Sequence, residues 1–133
     1  MKIYDAFDVA KITAAKSNPV VTRYQHSSVI LDRKGRIIAR GKNHYTGILL
    51  VTSDGGIVQK TIHSEVNALQ KVNIRHLKDA IIINYAKTNV AAILAYPCIN
   101  CYTILQKLGF AKVFYTTRSD INNPRWQEER FEK

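Results

Sequence analysis

The chain has two cysteines in 133 residues, and both fall in one stretch, Pro97-Cys98-Ile99-Asn100-Cys101. Sulfurs at i and i+3 on a helix project from one face. A helix start favours thiolate, the form that binds a metal. Pro97 suits the entry of such a helix, where a missing N–H costs nothing. Two sulfurs make half of a tetrahedral zinc site, and His63-Ser64-Glu65 offers the chemistry to complete it. Residues two apart share no helix face, so a metal on the helix flank could not use both His63 and Glu65. A metal off the helix N-terminus could: His63 would ligate from the first turn while Glu65 reaches toward an open position. His, Cys, Cys and a water form the three-plus-one set of a catalytic zinc. Singly, these residues have plainer readings. Cys98 and Cys101 could be a redox pair, although no proline stands between them, or half a zinc knuckle, although no second pair exists. His63 could be a surface histidine, and Glu65 a carboxylate favoured by the helix dipole.

Together, His63-Ser64-Glu65 and Pro97-Cys98-Ile99-Asn100-Cys101 fill every position of H-x-E…P-C-x-x-C, the signature of zinc-dependent nucleobase deaminases. The chain therefore resembles the cytidine deaminase superfamily. The longer string His63-Ser64-Glu65-Val66-Asn67-Ala68-Leu69 is most similar to its deoxycytidylate deaminase branch. The resemblance implies an α/β fold, a three-layer α/β/α sandwich around a mixed sheet of four to five strands. It implies His63, Cys98 and Cys101 as ligands of one Zn2+ with a bound water or hydroxide, and Glu65 as proton shuttle. The reaction implied is hydrolytic deamination of cytosine to uracil with release of ammonia, on dCMP or CMP by preference. Substrate contacts are expected from Asn43, where family members place an asparagine that bonds the sugar or base. Tyr96 stands where Ser, Thr or Glu is common and could close the pocket over the base. His26 and Tyr24 could stack on it. Strand-end turn chemistry is the plainer reading of Asn43, and ordinary packing that of the other three.

The net charge of +10, from 20 basic and 10 acidic residues, attracts phosphate on a nucleotide or on a polynucleotide. The densest basic segment holds Arg33, Lys34, Arg36, Arg40 and Lys42; elsewhere the cations are scattered, as solubility alone would place them. Single-stranded DNA or RNA is accordingly the alternative substrate, with cytosine or adenine as the base. A non-catalytic, zinc-stabilised nucleic-acid-binding protein is a third reading, which Glu65 argues against. The length suits one domain over 1–133 with its own core. No apolar run approaches the ~18 residues of a membrane helix. Asp5 and Asp8 stand where an export signal needs an apolar region, and cysteines in metal-type spacing suit the cytosol. A cytoplasmic protein without membrane contact is expected.

Several elements must position these groups. Tyr4 to Lys16 has helical apolar spacing, ended by Asn18-Pro19. Arg23–Leu31 and Arg36–Lys42 read as a hairpin about Asp32-Arg33-Lys34-Gly35. Asn43 to Lys60 reads as a long loop, whose apolar run Ile48–Val51 is expected to pack or to join copies of the chain into a homo-oligomer. A helix starts near Thr61–Ser64, and Ala80–Tyr85 is a buried strand. Val90–Tyr96 is extended, the Cys98 helix runs to Leu108 with Gly109 as its cap, and Ala111–Thr116 is a strand. The tail from about Ser119 is polar, with a short helix over Trp126–Phe131. It is too short for a further helix and strand, which leaves a fifth strand in doubt.

Overall fold

Ala6, Ala10 and Ala14 recur every fourth residue, and in the computed structural model they form a fully buried stripe on helix α1 (Ile3–Ala15). Residues 3–15, 25–51 and 57–132 are described, with side chains over 5–15, 25–43 and 63–132. Small side chains let the helix lie close on the sheet, and Phe7 anchors it. The Phe7 ring stacks on Trp126 at 4.3 Å between centroids and meets Phe114 edge-on at 5.5 Å.

The sheet grows from a hairpin of β1 (Gln25–Leu31) and β2 (Ile37–Lys42). Asp32 closes its turn: one carboxylate oxygen accepts the N–H groups of Lys34 and Arg36 at 2.9 and 3.0 Å, and the other pairs with Arg36 Nε. These bonds, the Arg36 N–H first, hold the Asp32 carboxyl below its ordinary range. Gly35 supplies the positive φ of 84°.

The β-branched run of β5 (Ile81–Lys87) is buried on both faces, as a central strand requires. Ile82 packs with Ile30, Leu105 and Val113 on one face, while Ile83 and Tyr85 pack with Val29 and the alanine stripe on the other. β5 pairs antiparallel with β1 and parallel with β7 (Lys112–Thr117). A parallel pair needs a crossover, which helix α3 (Ile99–Lys107) provides. With helix α2 (Ser64–Leu69), α3 covers the face opposite α1: Ala68 and Leu105 are fully buried in that second core. The layers are therefore α/β/α, as the motifs implied.

Two expectations are corrected. The tail does not form a helix over Trp126–Phe131. It forms β9 (Arg125–Arg130), antiparallel to β7 with Thr116 opposite Trp126. The long-strand ladder is thus β2-β1-β5-β7-β9, five strands. The two-residue strands β6 (Ala91–Ala92) and β8 (Ser119–Asp120) bring the sheet to seven. Trp-Gln-Glu-Glu-Arg has helix formers in it, but as a strand the segment pairs along β7 and stacks Trp126 on the half-buried Phe7 ring. The second correction concerns Asn43–Lys60. Much of it is a separate two-stranded sheet, β3 (His44–Val51) against β4 (Ile57–Ile62), with an irregular register between Tyr45 and Leu49. The Asn18-Pro19 helix stop lies outside the described residues. Gly109 caps α3 with φ 88° as expected. Among the described residues no helix is long and apolar enough to cross a membrane.

Candidate metal centre and pocket

Gly41 on β2 is where helix α2 touches the sheet. A Cβ there would lie 2.4 Å from Ala68 N and 2.6 Å from Ser64 O, so only glycine admits this approach. Asn67 Oδ1 accepts the Lys42 N–H at 3.1 Å and pins the first turn of α2 to β2. His63, immediately before that turn, is its N-cap, in extended backbone (φ −65°, ψ 149°).

Cys98 occupies the same position before α3 (φ −63°, ψ 164°), and its Sγ accepts the Cys101 N–H at 3.4 Å. Pro97 stands at the entry of the helix, immediately before the cap. His63 stands one residue outside its helix and not in the first turn. The correction has a physical reason: extended cap residues can turn their side chains across a helix end, and two such ends then meet. His63 Nδ1 lies 3.7 Å from Cys98 Sγ and 3.5 Å from Cys101 Sγ. Tetrahedral zinc with ordinary Zn–N and Zn–S bonds places nitrogen and sulfur about 3.6 Å apart. All three ligand atoms fall within 4.8 Å of one another, and the donor set is the kind zinc takes. The residues fit the metal.

The electrostatics sharpen one expectation. Burial raises the Cys101 thiol, with the Glu65 charge and Cys98 adding to it, so the helix start alone does not make this thiolate. A dication would supply the compensating charge. Cys98→Ser is expected to lose zinc and to lower Tm by on the order of 10 °C, since metal-binding free energy is also folding free energy. Metal analysis of the purified variant, beside a thermal melt with and without chelator, measures both.

Glu65 follows His63 by two residues and is buried in the first turn of α2. Its Oε1 accepts from Ser64 Oγ at 3.2 Å, and its Oε2 faces Asn84 Nδ2 at 3.4 Å. Ser28 lies behind them, with Oγ 2.8 Å from Ser64 Oγ and 2.7 Å from Asn84 Oδ1. The sequence reading did not single out Ser28, Ser64 or Asn84 as site residues. The signal for Asn84 was present: one amide in the apolar run Ile81-Ile82-Ile83-Asn84-Tyr85, where a buried polar group must find partners.

A cavity of about 300 Å³ opens beside these groups, lined by His63, Cys98, Glu65 and Asn84 among others. His26, Asn43 and Tyr96 are brought to its wall. Asn43 Oδ1 accepts the His26 N–H at 3.0 Å, and Asn43 N–H donates to His26 O at 3.2 Å, so Asn43 ties the strand end as well as lining the cavity. Burial, then the neighbouring His63, lowers the pKa of His26 and favours its neutral ring. Tyr96 packs edge-on against Tyr115 at 5.0 Å and stacks with Tyr102 at 6.2 Å. Its hydroxyl donates to the Glu129 carboxylate, which pushes its pKa up. Tyr24 lies outside the described residues.

The family profile of the cytidine and deoxycytidylate deaminase zinc-binding region matches residues 2–117. Among solved structures, the chain is similar to dCMP deaminase from the cyanophage S-TIM5 in complex with dCMP and dUMP. Identity is 21%, coverage 85% of this chain and 81% of that one, and TM-score 0.57. Cytidine deaminase from Burkholderia pseudomallei is 16% identical over 96% of this chain and 92% of its own, with TM-score 0.57. Cytidine deaminase from Mycobacterium leprae is 14% identical over 95% and 94%, with TM-score 0.53. No curated protein matches the chain in sequence.

Proposed function

This chain belongs to the cytidine and deoxycytidylate deaminase family, and on that premise we propose that it is a zinc-dependent hydrolytic deaminase. Its substrate is the cytosine of a nucleotide or nucleoside, dCMP or CMP by preference, and its products are the uracil counterpart and ammonia. The observation that carries the reading is the convergence of His63, Cys98 and Cys101 at one wall of the cavity that Glu65 also lines. Zinc held by those three residues supplies Lewis acidity, which makes water nucleophilic near neutral pH. Glu65 carries one proton of the attacking water to the ring nitrogen, and then the second, from the oxygen now bonded to carbon, to the amine that departs as ammonia. Its burial keeps bulk water from competing for that proton. Asn43, His26 and Tyr96 contact the substrate from the cavity wall.

Two things support a phosphate-bearing carrier. The chain has a net charge of +10, and the similar cyanophage enzyme was solved with dCMP and dUMP bound. The whole chain acts as one deaminase domain, and two thiols without a disulfide suit a reducing cytoplasm. The test is ammonia release from cytidine, deoxycytidine, CMP, dCMP and a cytosine-containing single strand, each with zinc-loaded protein. Turnover fastest on dCMP or CMP is the expected result. Conversion confined to the oligonucleotide would transfer the activity to polynucleotides, and no conversion of any cytosine compound would sink the proposal.

A further inference from the structure

We propose that Asn84, held by Ser28, is a positioning residue for Glu65, fixing the carboxylate without clamping it; this rests on the deaminase reading above. Ser28, Ser64, Glu65 and Asn84 are all buried, at 0%, 4%, 8% and 3% exposure, on three different elements: β1, α2 and β5. They make a closed ring of contacts: Ser28 to Asn84, Asn84 to Glu65, Glu65 to Ser64, and Ser64 back to Ser28.

Chemistry decides which way the Asn84 amide points. Its oxygen turned toward Glu65 would put two acceptors face to face. Its nitrogen there donates to the carboxylate, and its oxygen then takes the Ser28 hydroxyl hydrogen at 2.7 Å. Ser28 has one hydrogen and has used it on Asn84, so its 2.8 Å contact with Ser64 needs the Ser64 hydrogen. Ser64 must therefore share that hydrogen between Ser28 and Glu65 Oε1, whose contact is the longer at 3.2 Å. Asn84 Nδ2 is then the donor in the ring committed to Glu65 alone, across 3.4 Å. Both bonds to the carboxylate are long, while both bonds behind it are short. The carboxylate is thus tethered by long contacts to a frame whose own contacts are short, as suits a group that serves two positions in one turnover. Asn84 also lines the cavity and its amide keeps a second N–H, so the division of the effect between kcat and KM separates support of Glu65 from contact with the base.

The experiment compares zinc-loaded wild type with Asn84→Ala, Asn84→Asp and Ser28→Ala in steady-state deamination of the best cytosine substrate, with metal content measured in each. Support is a fall in kcat of about 10–100-fold with KM nearly unchanged and zinc retained. The loss should extend to Asn84→Asp, which keeps the shape but removes the donor. A raised KM at unchanged kcat would make Asn84 a substrate contact and overturn the proposal, as would full activity in Asn84→Asp. Should Asn84→Ala fail to fold, Ser28→Ala, smaller by a single oxygen, carries the same test. Crystal structures of the zinc-loaded variants provide a readout independent of turnover. A rotated Glu65 side chain supports the role, and an unmoved one refutes it. If the wild type deaminates nothing, the proposed function fails while this readout still decides the positioning role.

Discussion

Replacing Glu65 with glutamine is expected to remove deaminase activity by about 10²–10⁴-fold, the span of a positioned general acid–base group, while the protein keeps its zinc. The two halves of this result follow from different parts of the geometry. The metal-capable group is His63, Cys98 and Cys101, and Glu65 is not in it. Its carboxylate oxygens are engaged with Ser64 and Asn84. Glutamine fits the same slots: its Oε1 can accept from Asn84 and its Nε2 can donate to Ser64. Fold and stability should thus change by no more than about 1 kcal/mol, and what is lost is the basic site for a proton. Metal content, a melt and an ammonia assay on one preparation decide the matter. Zinc lost together with activity would make Glu65 a ligand and reverse the assigned roles.

Gly41→Ala should produce the opposite pattern, a protein whose chemistry is intact residue by residue yet whose site is not assembled. The added methyl would meet backbone atoms, Ala68 N at 2.4 Å and Ser64 O at 2.6 Å. No rotamer change relieves a backbone contact, so α2 must move as a body, by about 1 Å to reach ordinary van der Waals distance. The first turn of that helix holds Glu65, and its cap is His63. A displacement of that size at a reacting centre costs on the order of 100-fold in rate, and overpacking of this severity destabilises by about 3 kcal/mol. Urea unfolding and a zinc titration measure the two effects. A variant within about 1 kcal/mol of wild type that binds zinc as tightly would show that α2 does not depend on this contact.

The legibility of the site differs sharply among its parts. Metal chemistry permits few residue types at few spacings, so Pro97–Cys101 and His63–Glu65 carry their meaning in local sequence. The groups behind Glu65 do not. Ser28 and Asn84 are 56 positions apart, and a serine or an asparagine in a strand becomes informative only once the pairing of β1 with β5 places Ser28 opposite Asn84. The same distinction holds for the fold. The buried β5 and the α3 crossover follow from β-branched runs and helix caps. β9 reads as helix because Gln127, Glu128, Glu129 and Arg130 favour that state locally, and pairing along the open edge of β7 overrides them. The pairing of β3 with β4 was hidden by the polar opening at Asn43–Gly47, which reads as loop.

The antiparallel pairing of β5 with β1 also bears on how the molecule is made. β1 ends at Leu31 and β5 begins at Ile81, so the β1–β5 ladder closes a long loop that contains β2, the β3–β4 hairpin and α2. Such non-local pairing must be met by chain entropy before any contact rewards it, which slows folding relative to a fold of local contacts. The metal-capable residues span a further gap, His63 to Cys101 being 38 positions apart. Hairpins form in microseconds, but the polar ring behind Glu65 needs Ser28 opposite Asn84 and cannot exist before that loop has closed. The support behind Glu65 is therefore a product of long-range closure, which no local segment of the chain can form by itself.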